Sequence, residues 1–114
     1  MIDKREVQAF FDRLAPEWDA GLVRNEAVIA KILDNAGVRP GCTVLDVACG
    51  TGVLFGDYVR RGASQVTAID LSPEMAARAA EKATGTCVSV VCGDVESDRQ
   101  VRERGPYDVV MVYN

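Results

Sequence analysis

The sequence predicts an α/β fold in which helices cover both faces of a doubly wound parallel sheet, giving three layers. Two observations support this prediction. Short apolar runs recur through residues 42–114, and helix-like segments bounded by Gly, Pro or Ser separate them. Such alternation favours parallel strands joined by right-handed helical crossovers. We expect one domain over residues 1–114, with leading helices within 1–38 and a βαβαββ unit over 42–114.

Two helices are predicted before the first strand. Asp3 begins the first helix, whose apolar residues share a face as far as Leu14, and Pro16 should end or kink it. Asn25 is a suitable N-cap for the second helix, which should extend to Ala36.

Four strands and their connections account for the remaining chain. The strands are predicted in CTVLDVA, QVTAID, TCVSVVCGD and YDVVMVYN. A helix in GVLFGDYVRR should end at Gly62, and Ser72-Pro73 should begin another that ends at Gly85. The polar segment VESDRQVRERG is compatible with a loop or a short helix.

Composition excludes several kinds of site. The chain has no histidine, so histidine-ligated zinc and catalytic histidines are impossible within it, and we expect no metal site. The four cysteines form no C-x-x-C pair, and we expect them to be small buried side chains in a reducing cytoplasm. No apolar run is long enough to span a bilayer, and the first residues do not resemble a secretory signal. The net charge of −4 argues against a nucleic-acid surface.

Polar residues follow every predicted strand. Asp46–Gly52, Asp70, Gly93-Asp94 and Tyr113-Asn114 come after the first to the fourth strand in turn. In a parallel α/β sheet, ligands bind beyond the carboxyl ends of the strands. These residues should therefore meet at one binding site.

The loop A-C-G-T-G and Asp70 indicate a ligand that contains ribose. Glycines after a strand allow close approach to a ligand, and an acid about 20 residues further on accepts hydrogen bonds from ribose hydroxyls. A dinucleotide fingerprint fails here because Val53 occupies the third glycine position. Asp46 would repel a pyrophosphate but would attract a cationic ligand group. The alternative is that Asp46 merely caps the following turn.

These segments resemble a known family. VLDVACGTG resembles motif I of the class I S-adenosylmethionine-dependent methyltransferases, with Ala48 in place of the first motif glycine. AIDLSPEM, CGDVE and YDVVMVYN resemble the ends of that family's second and third strands and its fourth strand. FFDRLAPEWDA is similar to the leading helix of its small-molecule members. The resemblance implies a Rossmann-like fold and S-adenosylmethionine as cofactor.

The resemblance also implies roles for individual residues. Asp46 would orient the cationic methionine moiety, Asp70 would bind the ribose, and Asp94 would accept from the adenine amino group. Leu71 and Val95 would contact the adenine ring. The full set of implied cofactor-binding residues is Asp46, Ala48, Cys49, Gly50, Gly52, Asp70, Leu71, Asp94, Val95 and Asn114. The catalytic residue stays unknown.

The aromatic and basic clusters each have a structural alternative. Phe10, Phe11 and Trp18 either cover the cofactor, as the leading segment does in relatives, or pack in the core. Arg99, Arg102 and Arg104 are expected to form a solvated face.

The implied function is methyl transfer to an unidentified small-molecule acceptor. The family sheet has seven strands in the order 3-2-1-4-5-7-6, and this chain supplies the first four, which makes it the cofactor-binding half. The alternative is a non-catalytic cofactor-binding module or an inactive truncated fragment. An exposed fourth strand would be a candidate contact for a homodimer.

Overall fold

The computed structural model describes residues 3–20 and 22–113, in which five helices alternate with four strands. The helices and strands are α1 (Lys4–Trp18), α2 (Glu26–Ala36), β1 (Thr43–Val47), α3 (Phe55–Arg60), β2 (Gln65–Asp70), α4 (Pro73–Ala83), β3 (Val88–Cys92), α5 (Arg99–Arg104) and β4 (Val109–Val112). The short helix α5 lies between β3 and β4. The expected βαβαββ order is therefore wrong at this point, and the unit is βαβαβαβ.

All four strands are parallel, in the order β3-β2-β1-β4. Asp46 is opposite Ala68 on β2 and Met111 on β4, and Asp70 is opposite Cys92 on β3. This register brings the carboxyl ends of neighbouring strands to one edge. The predicted α/β parallel sheet is confirmed.

Local capping explains where α2 and α4 begin. The Asn25 side chain accepts a hydrogen bond from the Val28 amide at 3.1 Å. The Ser72 hydroxyl accepts one from the Met75 amide, also at 3.1 Å. Helix α1 continues past Pro16 to Trp18, so of the two expectations for Pro16, that it ends the helix or kinks it, the first is wrong. Pro16 lies in the last turn, where it removes only one backbone hydrogen bond.

The two faces of the sheet bury different amounts of apolar surface. On one face, helices α2, α3 and α4 pack against β1, β2 and β4 in a core that includes Leu33, Tyr58 and Val44. On the other face, Val101 of α5 closes a small cluster over Leu45. We call these the covered face and the open face. Val110 and Val112 alternate onto the open face and are 59% and 60% exposed.

The cysteines only partly follow the expectation of burial. Cys42 and Cys49 are buried, whereas Cys87 is partly buried and Cys92 is exposed at the end of the edge strand β3. All four are free thiols. Among the helices of residues 3–20 and 22–113, none has the length and apolar character that crossing a bilayer requires.

Candidate cofactor-binding site

A cavity of about 450 Å³ lies at the carboxyl ends of the strands. Residues from the ends of all four strands and from α1 form its walls. Eight of the ten predicted residues line it: Asp46, Ala48, Cys49, Gly50, Asp70, Leu71, Asp94 and Val95. The sheet therefore brings together residues that are up to 49 positions apart in the sequence.

Two predicted residues are not among those walls. Gly52 has a φ of 86°, and a Cβ added there would lie 2.6 Å from Cδ2 of Phe55. Gly52 thus allows the turn to pack against the first residue of α3, which is a structural requirement of the loop. Asn114 lies outside the described residues.

The loop after β1 has left-handed backbone at Ala48 and at Gly50, the two residues that flank Cys49. Ala48 has a φ of 56°, which is a conformation that L-residues other than Gly seldom adopt, and Gly50 has a φ of 59°. The Cys49 amide between them donates to the Ile69 carbonyl at 3.1 Å and so fixes the loop to β2. A Cβ added at Gly50 would have no atom within 4 Å, so this part of the loop faces open space.

Asp70 is held in position by two backbone amides. Gly50 N donates to Oδ2 at 2.8 Å, and Ser72 N donates to Oδ1 at 2.9 Å. A carboxylate oxygen has two lone pairs, so each oxygen can still accept a further hydrogen bond. The carboxylate is therefore rigid and still able to bind a hydroxyl group.

Asp46 has a different environment at the end of the adjacent strand. Its side chain is almost fully buried, with 3% of the residue exposed. The pKa of Asp46 is raised from 3.8 to about 7. Burial is the main cause, the Tyr58 hydroxyl beside the carboxyl group acts in the opposite direction, and the Asp70 charge adds to the increase. The cavity wall thus contains a carboxyl group that a cationic ligand would help to ionise.

The third acid, Asp94, forms an ion pair that joins the loop after β3 to α1. Its carboxylate contacts Nζ of Lys4 on α1, and Nζ also lies 3.1 Å from Glu96 Oε2. The Glu96 amide donates to Asp94 Oδ1 at 3.0 Å. The Lys4 ammonium and this amide hold the pKa of Asp94 below its usual range.

Helix α1 covers the cavity with apolar side chains. Phe11 and Trp18 line the cavity and lie edge to face, with ring centroids 6.0 Å apart. Phe10 is 50% exposed and does not line the cavity. Of the two alternatives for this aromatic cluster, covering the cavity fits Phe11 and Trp18, and neither covering nor core packing fits Phe10.

Polar contacts fix α1 to the rest of the site. Asp12 accepts from the Ser72 hydroxyl and, at 3.2 Å, from the Glu74 amide at the start of α4. Asp19 accepts from the Thr51 hydroxyl at 2.6 Å and from Lys82 Nζ at 3.0 Å.

Sequence reasoning did not identify these polar residues. Asp12 lies within the amphipathic helix α1 and Asp19 directly follows it, and acids are common at such positions and carry no signal. Tyr58 was also missed, because its position within α3 resembles any apolar helix residue. The structure adds these three residues to the surroundings of the predicted site.

Comparison with known proteins agrees with this arrangement. Residues 44–114 match a family model described as "Methyltransferase domain". The chain is 45% identical over 91 residues to nocamycin O-methyltransferase from Saccharothrix syringae, covering 74% of this chain and 32% of that protein. It is 31% identical over 114 residues to malonyl-[acyl-carrier protein] O-methyltransferase from Acetivibrio thermocellus, covering 97% and 39%.

A solved structure titled "DhpI-SAH complex structure" is also similar. It aligns with a TM-score of 0.62 and 29% identity, covering 79% of this chain and 45% of that one. The chain spans between 10% and 39% of the length of the curated relatives that it matches. Because the family model matches more than half of the chain, we conclude that the chain belongs to the methyltransferase domain family, the class I S-adenosylmethionine-dependent methyltransferases.

Proposed function

We propose that this protein transfers a methyl group from S-adenosylmethionine to a small-molecule acceptor, and that the cavity under α1 binds the cofactor. The observation that carries the proposal is the meeting of Asp46, the Gly50 loop and Asp70 at one cavity. A glycine loop alone would be weak evidence for a cofactor-binding site. A glycine loop, a ribose acid and a buried carboxyl group in one cavity fit a ribose ligand that carries positive charge.

The cavity has suitable dimensions and surroundings for such a cofactor. Its volume of about 450 Å³ lies within the usual range for ligand pockets. Gly50 leaves space that a Cβ would otherwise fill, so the ligand can approach the backbone there. Phe11 and Trp18 supply apolar walls that would exclude water from the bound cofactor.

Asp46 is proposed to bind the ammonium group of the methionine moiety. A nearby positive charge favours the ionised carboxylate and would oppose the effect of burial on the Asp46 pKa. The energetic cost of keeping this carboxylate buried would then decrease on binding.

Asp70 is proposed to accept hydrogen bonds from the ribose hydroxyls. The two backbone amides already fix the orientation of its carboxylate, so little side-chain entropy remains to be lost on binding. Ala48 and Cys49 would support the loop against the cofactor, and Gly52 would contribute through its contact with Phe55. The role of Asn114 as a cofactor-binding residue stays a prediction.

The adenine ring is proposed to lie between Leu71 and Val95, which both line the cavity. Asp94 would accept from the adenine amino group. Its carboxylate already accepts from Lys4 and from the Glu96 amide, but two oxygens provide about four acceptor sites. A further hydrogen bond is therefore compatible with the observed contacts.

The bound cofactor supplies an activated methyl group on a sulfonium. The residues described above bind and orient the cofactor and exclude water, which is the contribution that an in-line displacement needs most. The small-molecule acceptor is supported by the similarity to nocamycin O-methyltransferase. We also place the protein in the cytoplasm, since four free thiols suit a reducing compartment.

The test is isothermal calorimetry of the folded protein with S-adenosylmethionine, S-adenosylhomocysteine and NAD. We expect both adenosyl ligands to bind and NAD not to bind. Asp70→Ala should weaken binding about tenfold or more without unfolding the chain, because a hydrogen-bonded charged group is lost. Asp34→Ala, which removes an exposed acid on α2, is the matched control and should leave affinity unchanged.

The second candidate is a cofactor-binding module without catalysis. Such a module would give the same calorimetric result as the enzyme. Transfer of a labelled methyl group to candidate acceptors distinguishes the module from the enzyme. Equal affinity of wild type and Asp70→Ala would contradict the ribose assignment. Binding of NAD alone would contradict the proposed cofactor.

We further propose that two copies of the chain can associate through the outer edge of β4. Val110 and Val112 are more than half exposed on this edge strand, and exposed apolar edges tend to pair. Sedimentation equilibrium over a range of concentrations tests this, and a strictly monomeric protein would contradict it.

A further inference from the structure

Tyr58 combines complete burial with an unsatisfied hydroxyl group. It lies in α3 on the covered face, and its exposed fraction is 0%. Its hydroxyl has no hydrogen-bond partner that satisfies the geometric requirements among the described residues. Leaving a buried hydroxyl unpaired is unfavourable, and such groups are uncommon in folded proteins. An unpaired hydroxyl at this position therefore needs an explanation.

The explanation lies in its neighbour. The Tyr58 hydroxyl is adjacent to the Asp46 carboxyl group. Asp46 lines the cavity, whereas Tyr58 does not. The Asp46 carboxyl group is therefore next to both the cavity and the tyrosine hydroxyl, and it is the acceptor available to that hydroxyl.

We propose that Tyr58 is a positioning residue of the cofactor site, whose hydroxyl donates a hydrogen bond to the ionised Asp46 carboxylate from the protein interior. The inference rests on the proposed function, in which Asp46 binds the cationic end of the cofactor. One carboxylate oxygen would accept from Tyr58 and the other would face the cavity. Tyr58 thus fixes the direction in which Asp46 presents its charge.

The other groups around Asp46 cannot provide this support. Asp70 on β2 carries the same charge and disfavours ionisation of Asp46. Burial, and after it the charges of the neighbouring acids, raise the pKa of the Cys49 thiol in the following loop above its usual range, so this thiol stays neutral. On β4, the residue opposite Asp46 is Met111, which has no polar donor. Among the charged and titratable neighbours in the described residues, Tyr58 is the one that favours the carboxylate.

The decisive variant is Tyr58→Phe, which removes one oxygen and leaves the buried ring. We expect the dissociation constant for S-adenosylhomocysteine to increase about tenfold at pH 7, as for the loss of a hydrogen bond to a charged group. The pH at which affinity reaches half its maximum should shift upward by about one unit, because the ionised carboxylate loses a donor. A purely structural role would change stability without shifting this midpoint.

A double-mutant cycle isolates the contact. In the Asp46→Asn background, Tyr58→Phe should change affinity less than twofold, since no carboxylate remains to be positioned. Thr67→Val is the matched control, because Thr67 is also fully buried and its hydroxyl has no partner among the described residues. Thr67 pairs with Leu45 in the sheet and therefore lies on the open face, away from Asp46. The Thr67→Val variant should leave the midpoint unchanged.

A measurement on the ligand-free protein separates this inference from the proposed function. Carbon-13 NMR titration of the Asp46 carboxyl should show a higher midpoint in Tyr58→Phe than in the wild type. If the wild type fails to bind either adenosyl ligand, the proposed function fails, and this titration still tests the contact. Equal NMR midpoints, or an equal loss of affinity in both Asp46 backgrounds, would overturn the positioning role.

Discussion

The two faces of the sheet differ in how completely helices bury them. Three helices pack on the covered face, where Val44, Leu33 and Tyr58 are almost inaccessible. A single six-residue helix packs on the open face, where Val110 is 59% exposed. Asp46 and Asp70 alternate onto the covered face with Val44 and Val66. The proposed chemistry therefore depends on the face where side chains are held rigidly, and the open face can vary without disturbing it.

The largest effect should come from removing apolar volume on the covered face. Leu33→Ala leaves a cavity at a site with 1% exposure and should lower the free energy of unfolding by about 2–5 kcal/mol. Urea denaturation monitored by circular dichroism measures this. Leu14→Ala, at a site that is 38% exposed, should cost about 1 kcal/mol or less. Similar losses for both would show that burial does not distinguish these positions.

The buried carboxyl group should make the stability of the covered face depend on pH. The folded state holds the Asp46 proton more tightly than the unfolded state, with a pKa of about 7 against 3.8. Stability should thus fall as pH rises from about 4 and level off above about 7. Asp46→Asn should remove this decline and be more stable at pH 8 by on the order of 1–3 kcal/mol.

The same Asp46→Asn protein should bind S-adenosylmethionine at least about tenfold more weakly, because it lacks the charge that attracts the ammonium group. Urea denaturation at several pH values and calorimetry at pH 8 measure the two effects. A variant that gains stability but keeps full affinity would remove Asp46 from the cofactor site.

A smaller gain in stability is expected from a substitution in the loop after β1. Ala48 has a φ of 56°, which costs an L-residue about 1–2 kcal/mol relative to Gly. Ala48→Gly should relieve this strain but increase the entropy of the unfolded chain, for a net gain of about 0.5–1 kcal/mol. The midpoint of thermal unfolding reports the change. A loss of stability would mean that the Ala48 methyl group makes contacts that outweigh the strain.

The smallest effect should be found on the open face. Val110→Thr should change the free energy of unfolding by less than about 0.5 kcal/mol, because the side chain is mostly solvated. The identical change at Val44 buries a hydroxyl group and should cost about 1–3 kcal/mol. Chemical denaturation of both variants compares the two faces directly. A large loss at Val110 would indicate that this surface is covered in solution.

Much of the fold follows from local signals in the sequence. Asn25 and Ser72 are predicted N-caps and act as such, because capping depends on residues within one turn. The order of the strands is the one that the family resemblance implies, and the meeting of Asp46 with Asp70 follows from the rules for parallel sheets. Helix α3 is the main exception, since the predicted helix includes Gly52 and the observed one begins only at Phe55. The turn at Gly52 depends on its packing against that ring.

The remaining details depend on contacts between distant residues. Lys4 and Asp94 are 90 positions apart, and no local pattern indicates that α1 approaches the loop after β3. The direction of the Tyr58 hydroxyl depends on how α3 packs on β1. Single-sequence reasoning can thus identify the acids at the strand ends, but not the groups that pair with them or support them.

Asp12 links the covering helix α1 to the folding of α4. Its carboxylate accepts from Glu74 N, one of the amides at the start of α4 that has no partner within that helix. When α1 separates from α4, this amide loses its acceptor and becomes available for hydrogen exchange with solvent. The exchange rate of a single amide therefore reports how often the cavity opens. The same amide should exchange more slowly once a ligand keeps α1 in place.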